Sequence, residues 1–262
     1  MILTRDNYHS IPANIAYMSV SQYKDFLACE AAALAKLAGD YVPPANDAFL
    51  LGSYVHAWNE GTLDSFKDAH PEMYTKQGKL YEKFKAGPAA IDALESDPFC
   101  MHVLSGQKEV IMTGTLAAVQ WKIMIDSYTP GKRIVDLKTT RSIAETVWNN
   151  ELRRRESFIE AYNYPLQMAV YAHIEKQNTK HPEYLEPLIV TVSKEDPPDK
   201  AVISINDPKR LLYEIGQIEQ NIERVMDVKE GRKPPQKCGK CAYCRASKRV
   251  TKVLWYRDLE AS

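Results

Sequence analysis

The spacing of apolar positions changes several times along the chain. Leu211, Ile215, Ile218, Ile222 and Val225 recur at a period of 3.6 and predict a long amphipathic helix that ends near Gly231. Residues 21–38, "SQYKDFLACEAAALAKLA", read as one helix capped by Ser19 or Ser21 and stopped at Gly39. Further helices are expected over 48–63 and 81–96, and another from Pro165, a good first-turn residue, to about residue 177. Strand-like runs lie between them: "KEVIMTGT", "AAVQWKIMIDSY", "RIVDLKTT", "PLIVTVSK" and "DKAVISI". The turn "TPGK" joins the second and third of these as a hairpin. Helices, then a strand meander, then helix and strands predict an α/β or α+β core with helices on both sides.

Composition narrows the class. A hydrophobic share of 45% with no low-complexity tract fits a soluble globular protein. No apolar run reaches the length of a membrane span, and "MILTRDNYHS" lacks a signal-peptide core, so a cytoplasmic location is the expectation. The 34 basic residues balance 34 acidic ones, which leaves only local patches to attract nucleic acid. Arg153-Arg154-Arg155 and the tail residues Arg245, Lys248, Arg249 and Lys252 are such patches, and from charge alone a solvated helix face is the favoured reading of both.

The strand "RIVDLKTT" carries an acid and an amine on one face, because Asp136 and Lys138 are two residues apart while Leu137 points the other way. Read alone, the pair is a surface salt bridge. A hairpin turning at Pro130-Gly131 pairs residues whose numbers sum to 261 or 262, and that sets Asp126 opposite Asp136. Two facing carboxylates repel unless a cation lies between them, and a hard divalent ion is the usual solution. Lys138 beside such a pair can orient a water or neutralise charge growing on a phosphate. Glu109 is a candidate for a further acidic neighbour.

Asp126 followed by Asp136-Leu137-Lys138 resembles the PD-(D/E)xK phosphodiesterase signature. "GSYVHAWNEG" resembles the Gly-x-x-x-His helix of its RecB-like branch, with His56 as the histidine; "YPLQMAVYAH" resembles the branch's Gln-x-x-x-Tyr motif through Gln167 and Tyr171. "MSVSQYKDFLACEAAAL" is similar to that branch's opening Ser-x-Ser helix, and within the branch the likeness is to phage and prophage RecE-type (exonuclease VIII-like) enzymes. The resemblance implies a restriction-endonuclease-like core, a central mixed β-sheet flanked by helices. It implies one nuclease domain over 1–262, with a helical part at 1–100, a catalytic sheet core at 105–205 and a helix with a Cys-rich tail at 206–262. It also implies Mg²⁺, or Mn²⁺ in its place, held by His56, Asp126, Asp136 and the carbonyl of Leu137, with Lys138 assisting the water and Gln167 and Tyr171 lining the site. Duplex DNA ends are the implied substrate, digested 5′→3′ to leave 3′ tails, with a RecT-like single-strand annealing recombinase as partner and a ring assembly around DNA. The implied setting is a phage or prophage protein in a bacterial host. "MI" stands before Asp126 where the family often shows Gly-Arg or Gly-Lys, and Lys122 is expected to supply part of that positive charge.

Cys238, Cys241 and Cys244 follow a C-x₂-C-x₂-C spacing that suggests metal ligation in a reducing compartment. The same family places a fourth cysteine early in the chain, here Cys29, around a [4Fe–4S] cluster. Zn²⁺ is the competing occupant, and an unmetallated tail is a third reading. Cys100 reads as a packed apolar residue. Two other functions stay open at this point: a non-catalytic DNA-binding protein with a cysteine-organised tail, and an endonuclease or CRISPR-adaptation-type nuclease on the same fold.

Overall fold

The computed structural model describes the chain apart from residues 45, 151, 254 and 260–262, so the end of the expected tail lies outside the described residues. Two compact units can be distinguished, Met1–Val20 with Pro44–Ile222, and Ser21–Pro43 with Glu223–Ser262.

The first unit is built on a five-stranded mixed sheet of order β1-β2-β3-β6-β7, with β1 Gln107–Leu116, β2 Val119–Thr129, β3 Arg133–Thr140, β6 Pro187–Ser193 and β7 Lys200–Ser204. All neighbours are antiparallel except β3 and β6, which run parallel with Asp136 beside Ile189 and Lys138 beside Thr191. A parallel pair needs a crossover, and this one contains the helix α9 Tyr164–Thr179. The expected hairpin is present: Ser127 pairs with Val135 and Tyr128 with Ile134, which sum to 262, and Gly131 takes the left-handed turn conformation at φ 68°.

Helices α4 Asp47–Glu60 and α6 Ala86–Glu95 supply the core on one side of the sheet. Leu51, Tyr54, Val55, Ile91 and Leu94 pack with Val135, Leu137, Val190 and Val192. Cys100, on α7 Pro98–Leu104, is buried in that cluster, as its apolar reading requires. A two-stranded ribbon, β4 Thr146–Asn149 with β5 Arg154–Ser157, follows β3 and leads into the short helix α8 Phe158–Ala161. The arginines at 154 and 155 therefore lie on a strand, not on the helix face considered for them. A further short helix, α1 Ile11–Ala16, precedes the sheet, and α5 Leu63–Ala69 follows α4.

The single helix expected over 21–38 is two. α2 Val20–Ala28 and α3 Glu30–Ala38 are separated at Cys29, whose φ −166° and ψ 104° are those of a strand. The helical composition on both sides is overridden at one residue, and that residue's Sγ lies 3.5 Å from Cys244 Sγ. Glu30 receives the Arg224 guanidinium through both carboxylate oxygens, and the Ala31 N–H donates to Gln236 O. In the second unit these contacts join residues 29–31 to the last turns of α10 Pro208–Lys229 and to the segment after it, which contains α11 Ala242–Ala246. The five apolar positions expected on α10 are all buried.

Candidate active site

The β2–β3 ladder stops at Ser127–Val135, one step short of the two aspartates. Beyond it, the Leu137 N–H donates to Asp126 Oδ2 at 2.6 Å, so a side-chain carboxylate takes over the ladder's hydrogen bond. The strands fork there, with Asp126 and Asp136 at the opening and the Leu137 side chain fully buried in the core.

Asp136 is 2% exposed. Its Oδ1 accepts from Gln167 Nε2 at 2.6 Å, and Gln167 exchanges a hydrogen bond with the Tyr171 hydroxyl one turn along α9. Its Oδ2 forms an ion pair with Lys138 Nζ at 2.6 Å, so the buried carboxylate is held from both sides. Burial pulls the Lys138 ammonium down, but Asp136 and then Asp126 outweigh it and hold its pKa above the ordinary value. The ammonium also sits 5.1 Å from the centre of the Tyr164 ring.

α4 turns a polar stripe toward Asp126. Gly52, His56, Asn59 and Glu60 recur at helical spacing. His56 Nδ1 lies 3.6 Å from Asp126 Oδ2, and Asn59 Nδ2 donates to the Asp126 carbonyl at 3.2 Å. A side chain at position 52 would press on β3, since an added Cβ would stand 3.2 Å from Thr139 Oγ1. The glycine of Gly-x-x-x-His is thus what lets the histidine's helix lie close to the strand of Lys138.

Glu109 completes a row of acids across three strands. Along the β1–β2 register it falls opposite Asp126, yet it leaves the ladder with a left-handed φ of 54°. It is 8% exposed, and its carboxylate has no hydrogen bond or ion pair among the described residues. Burial, reinforced by Asp126 and Glu60, pushes its carboxyl up to about 8. Burial likewise raises the Asp126 carboxyl, with Asp136 adding to the rise and His56 opposing it. Glu109 and Asp126 line a cleft of about 290 Å³ together with His9, Ser53, His56 and Glu60. Three buried acids against one part-buried ammonium is a donor set that fits a divalent cation.

Lys122 does not supply charge to this cleft. It is 1% exposed, donates to Tyr8 O and, at 2.7 Å, to Asn14 Oδ1, and so anchors the N-terminal segment. His9, Tyr164 and Asn59 were not singled out from the sequence. Asn59 and Tyr164 lie within the two motif stretches but not at their signature positions, His9 lies outside both, and only the folded chain brings them to the fork.

In the second unit, Cys29, Cys238, Cys241 and Cys244 converge, all four Sγ atoms lying within 4.8 Å of one another. Backbone N–H groups of Lys240 and Cys241 pull the Cys238 thiol down to about 6, while burial pushes Cys244 up to about 11.

Residues 19–247 match the family described as a PDDEXK-like domain of unknown function, DUF3799. The chain belongs to that family. A crystal structure of a provisionally assigned exonuclease from Eubacterium rectale is similar at 39% identity and a TM-score of 0.94, covering 100% of this chain and 99% of that one. The crystal structure of SSO0001 aligns at 14% identity and a TM-score of 0.32 over 84% of this chain and 92% of that one, too distant to bear on fold or function. Among curated proteins none matches. The restriction-endonuclease-like reading of the core holds, as a mixed sheet flanked by helices in a PDDEXK-like family.

Proposed function

We propose that this protein is a divalent-metal-dependent exonuclease that hydrolyses phosphodiester bonds at the ends of duplex DNA. The observation that carries the reading is the fork itself: buried Asp136 ion-paired to Lys138 on the same strand face, with the buried Asp126 across the opening. A binding module has no use for paired buried carboxylates next to phosphate, whereas a hydrolase does. The E. rectale relative's description favours attack at ends.

Asp126, Asp136, His56 and the Leu137 carbonyl would hold Mg²⁺, with Mn²⁺ as a substitute and Glu109 as a further carboxylate facing the same cleft. The bound cation would supply an activated water and charge stabilisation for the departing 3′ oxygen. Lys138 holds a proton at Nζ and faces the charge that develops on the phosphate. Gln167 fixes the Asp136 carboxylate through Oδ1 and, with Tyr171, presents a polar helix face to the DNA backbone. Digestion 5′→3′, 3′ tails for a RecT-like annealing partner, a phage or prophage setting and a ring assembly are the parts of this reading that rest on the RecE-type resemblance.

Incubation with Mg²⁺ of a linear duplex, end-labelled on either strand terminus, and of a covalently closed circle tests the reading. Mononucleotide release from the linear duplex with the circle intact is expected, and the labelled terminus lost first gives the polarity. Nicking of the circle at a comparable rate would make the protein an endonuclease instead. Asp136→Asn and Lys138→Met should each lower hydrolysis by at least about 10²-fold, the scale of losing one group that stabilises transition-state charge. Circular dichroism of both variants should match the parent. Full activity in either would remove the assignment.

A further inference from the structure

The four cysteines do not have the spacing that a [4Fe–4S] cluster demands. In a cubane each thiolate binds a different iron at a different corner, so the four sulfurs spread well beyond 4.8 Å. Here Cys29 Sγ and Cys244 Sγ are 3.5 Å apart, Cys238 Sγ and Cys244 Sγ 3.9 Å, and no pair exceeds 4.8 Å. Four thiolates at about 2.3 Å from one tetrahedral ion stand about 3.8 Å from each other. Disulfides are no better an account, since all four cysteines are free and a bonded pair would be only about 2.0 Å apart.

The backbone is also shaped for a single ion. The Cys241 N–H points at Cys238 Sγ at 3.3 Å and the Cys244 N–H at Cys241 Sγ at 3.4 Å, so two successive turns aim donors at sulfur. Gly239, at φ 78°, provides the left-handed residue that closes the first of these turns. Cys29 enters from the break between α2 and α3, where a continuous helix would not have turned its side chain this way.

We propose that Cys29, Cys238, Cys241 and Cys244 form a Cys₄ site for one Zn²⁺, and that this ion staples the second unit. The proposal does not depend on the nuclease reading. The unit joins two segments far apart in sequence. The buried cluster around its cysteines is small: Cys29, Ala31 and Cys244, with Ala32, Cys238, Cys241 and Tyr243 packed against them. The rest of the unit has its own buried side chains, Tyr23, Phe26, Val225 and Val228, so the cysteine end is where a cross-link adds most, and a structural zinc contributes folding free energy outright.

The test is metal and sulfide analysis of the full chain, purified anaerobically from cells supplied with both iron and zinc. One zinc per chain, a colourless solution and no acid-labile sulfide are expected. A brown protein with absorbance near about 400 nm and four irons with sulfide per chain would overturn the proposal. So would a chain without stoichiometric metal. Cys29→Ser and Cys244→Ser should each lose the zinc, whereas Asp126→Asn should keep it, which separates this site from the carboxylate fork. In case the cysteine variants fail to fold, Co²⁺ substitution of the unmutated chain should give the visible bands of a tetrahedral thiolate site; octahedral spectra would count against it. Removing zinc should speed amide exchange in residues 21–43 and 223–253. Unchanged exchange there would refute the staple.

Discussion

Glu109 shows how a single residue can be placed against its own preferences. It is not glycine, yet it holds a left-handed φ, and it is buried near Asp126, Glu60 and Asp136 with Arg5 opposing them only in part. Strain of this kind persists only where the surroundings impose it, and it concentrates at functional sites. The carboxyl is raised from 4.5 to about 8, so the folded chain binds this proton more tightly than the unfolded chain does. The sign follows from linkage: the residue's contribution is full below about pH 4.5 and is lost as pH rises toward 8. In EDTA, the melting temperature of the parent relative to Glu109→Gln should therefore decline between pH 5 and pH 8. Adding Mg²⁺ should reverse that decline, because a cation replaces the proton as the counter-charge. A parent-minus-variant difference that stays flat with pH would show that Glu109 does not face the cation.

At the scale of elements, helix α4 has two demands on it. Leu51, Tyr54 and Val55 fill the core, while Gly52, His56, Asn59 and Glu60 face the fork. Gly52→Ala sets two effects against each other. Alanine gains up to about 1 kcal/mol of helix propensity. Overpacking against Thr139 Oγ1 costs about 1–3 kcal/mol. Stability should thus change little or fall modestly, whereas Mg²⁺ affinity, measured by calorimetry, should drop because His56 moves with its helix. Thr139→Ala in the same chain should restore that affinity; no recovery would mean that the glycine acts through something other than this contact. The same helix explains what could be read beforehand. The β2–β3 register, the strand "RIVDLKTT" and the Gly-x-x-x-His spacing are local patterns, and all three were legible in the sequence. The fork was not, because it depends on Asp126 replacing a backbone acceptor one step beyond the ladder. The short helices α1 and α7 carry capping signals in Ser10-Ile11-Pro12 and Asp97-Pro98, but six or seven residues are too few to show a period. Cys29 interrupts a segment whose every neighbour favours helix, and only its distant partners at 238, 241 and 244 reveal why.

Over the whole molecule, 34 cations against 34 anions leave no net field to gather DNA. Several arginines are already committed: Arg210 to Glu160 and Glu214, Arg224 to Glu30, Arg141 to Glu145. No helix among the described residues is long and apolar enough to cross a membrane, so the exposed cations are not explained by a span. Arg155, exposed on β5, donates to Thr146 O and has no carboxylate partner among the described residues, and Trp148 on the adjoining strand is 53% exposed. An exposed aromatic beside an exposed guanidinium suits a strand of nucleic acid. A substrate held by a few such contacts should show a shallow salt dependence, since each neutralised phosphate contributes a slope of about −0.9 in log K against log salt. Binding of a labelled duplex to the Asp136→Asn protein, followed by anisotropy between low and moderate salt, measures that slope. Replacing Arg155 by alanine should reduce it by about one phosphate's worth, with the melting temperature unchanged because the side chain is exposed. An unaltered slope would take the β4–β5 ribbon off the DNA path and leave the basic residues of the tail, Lys248, Arg249 and Lys252, to be replaced in the same assay.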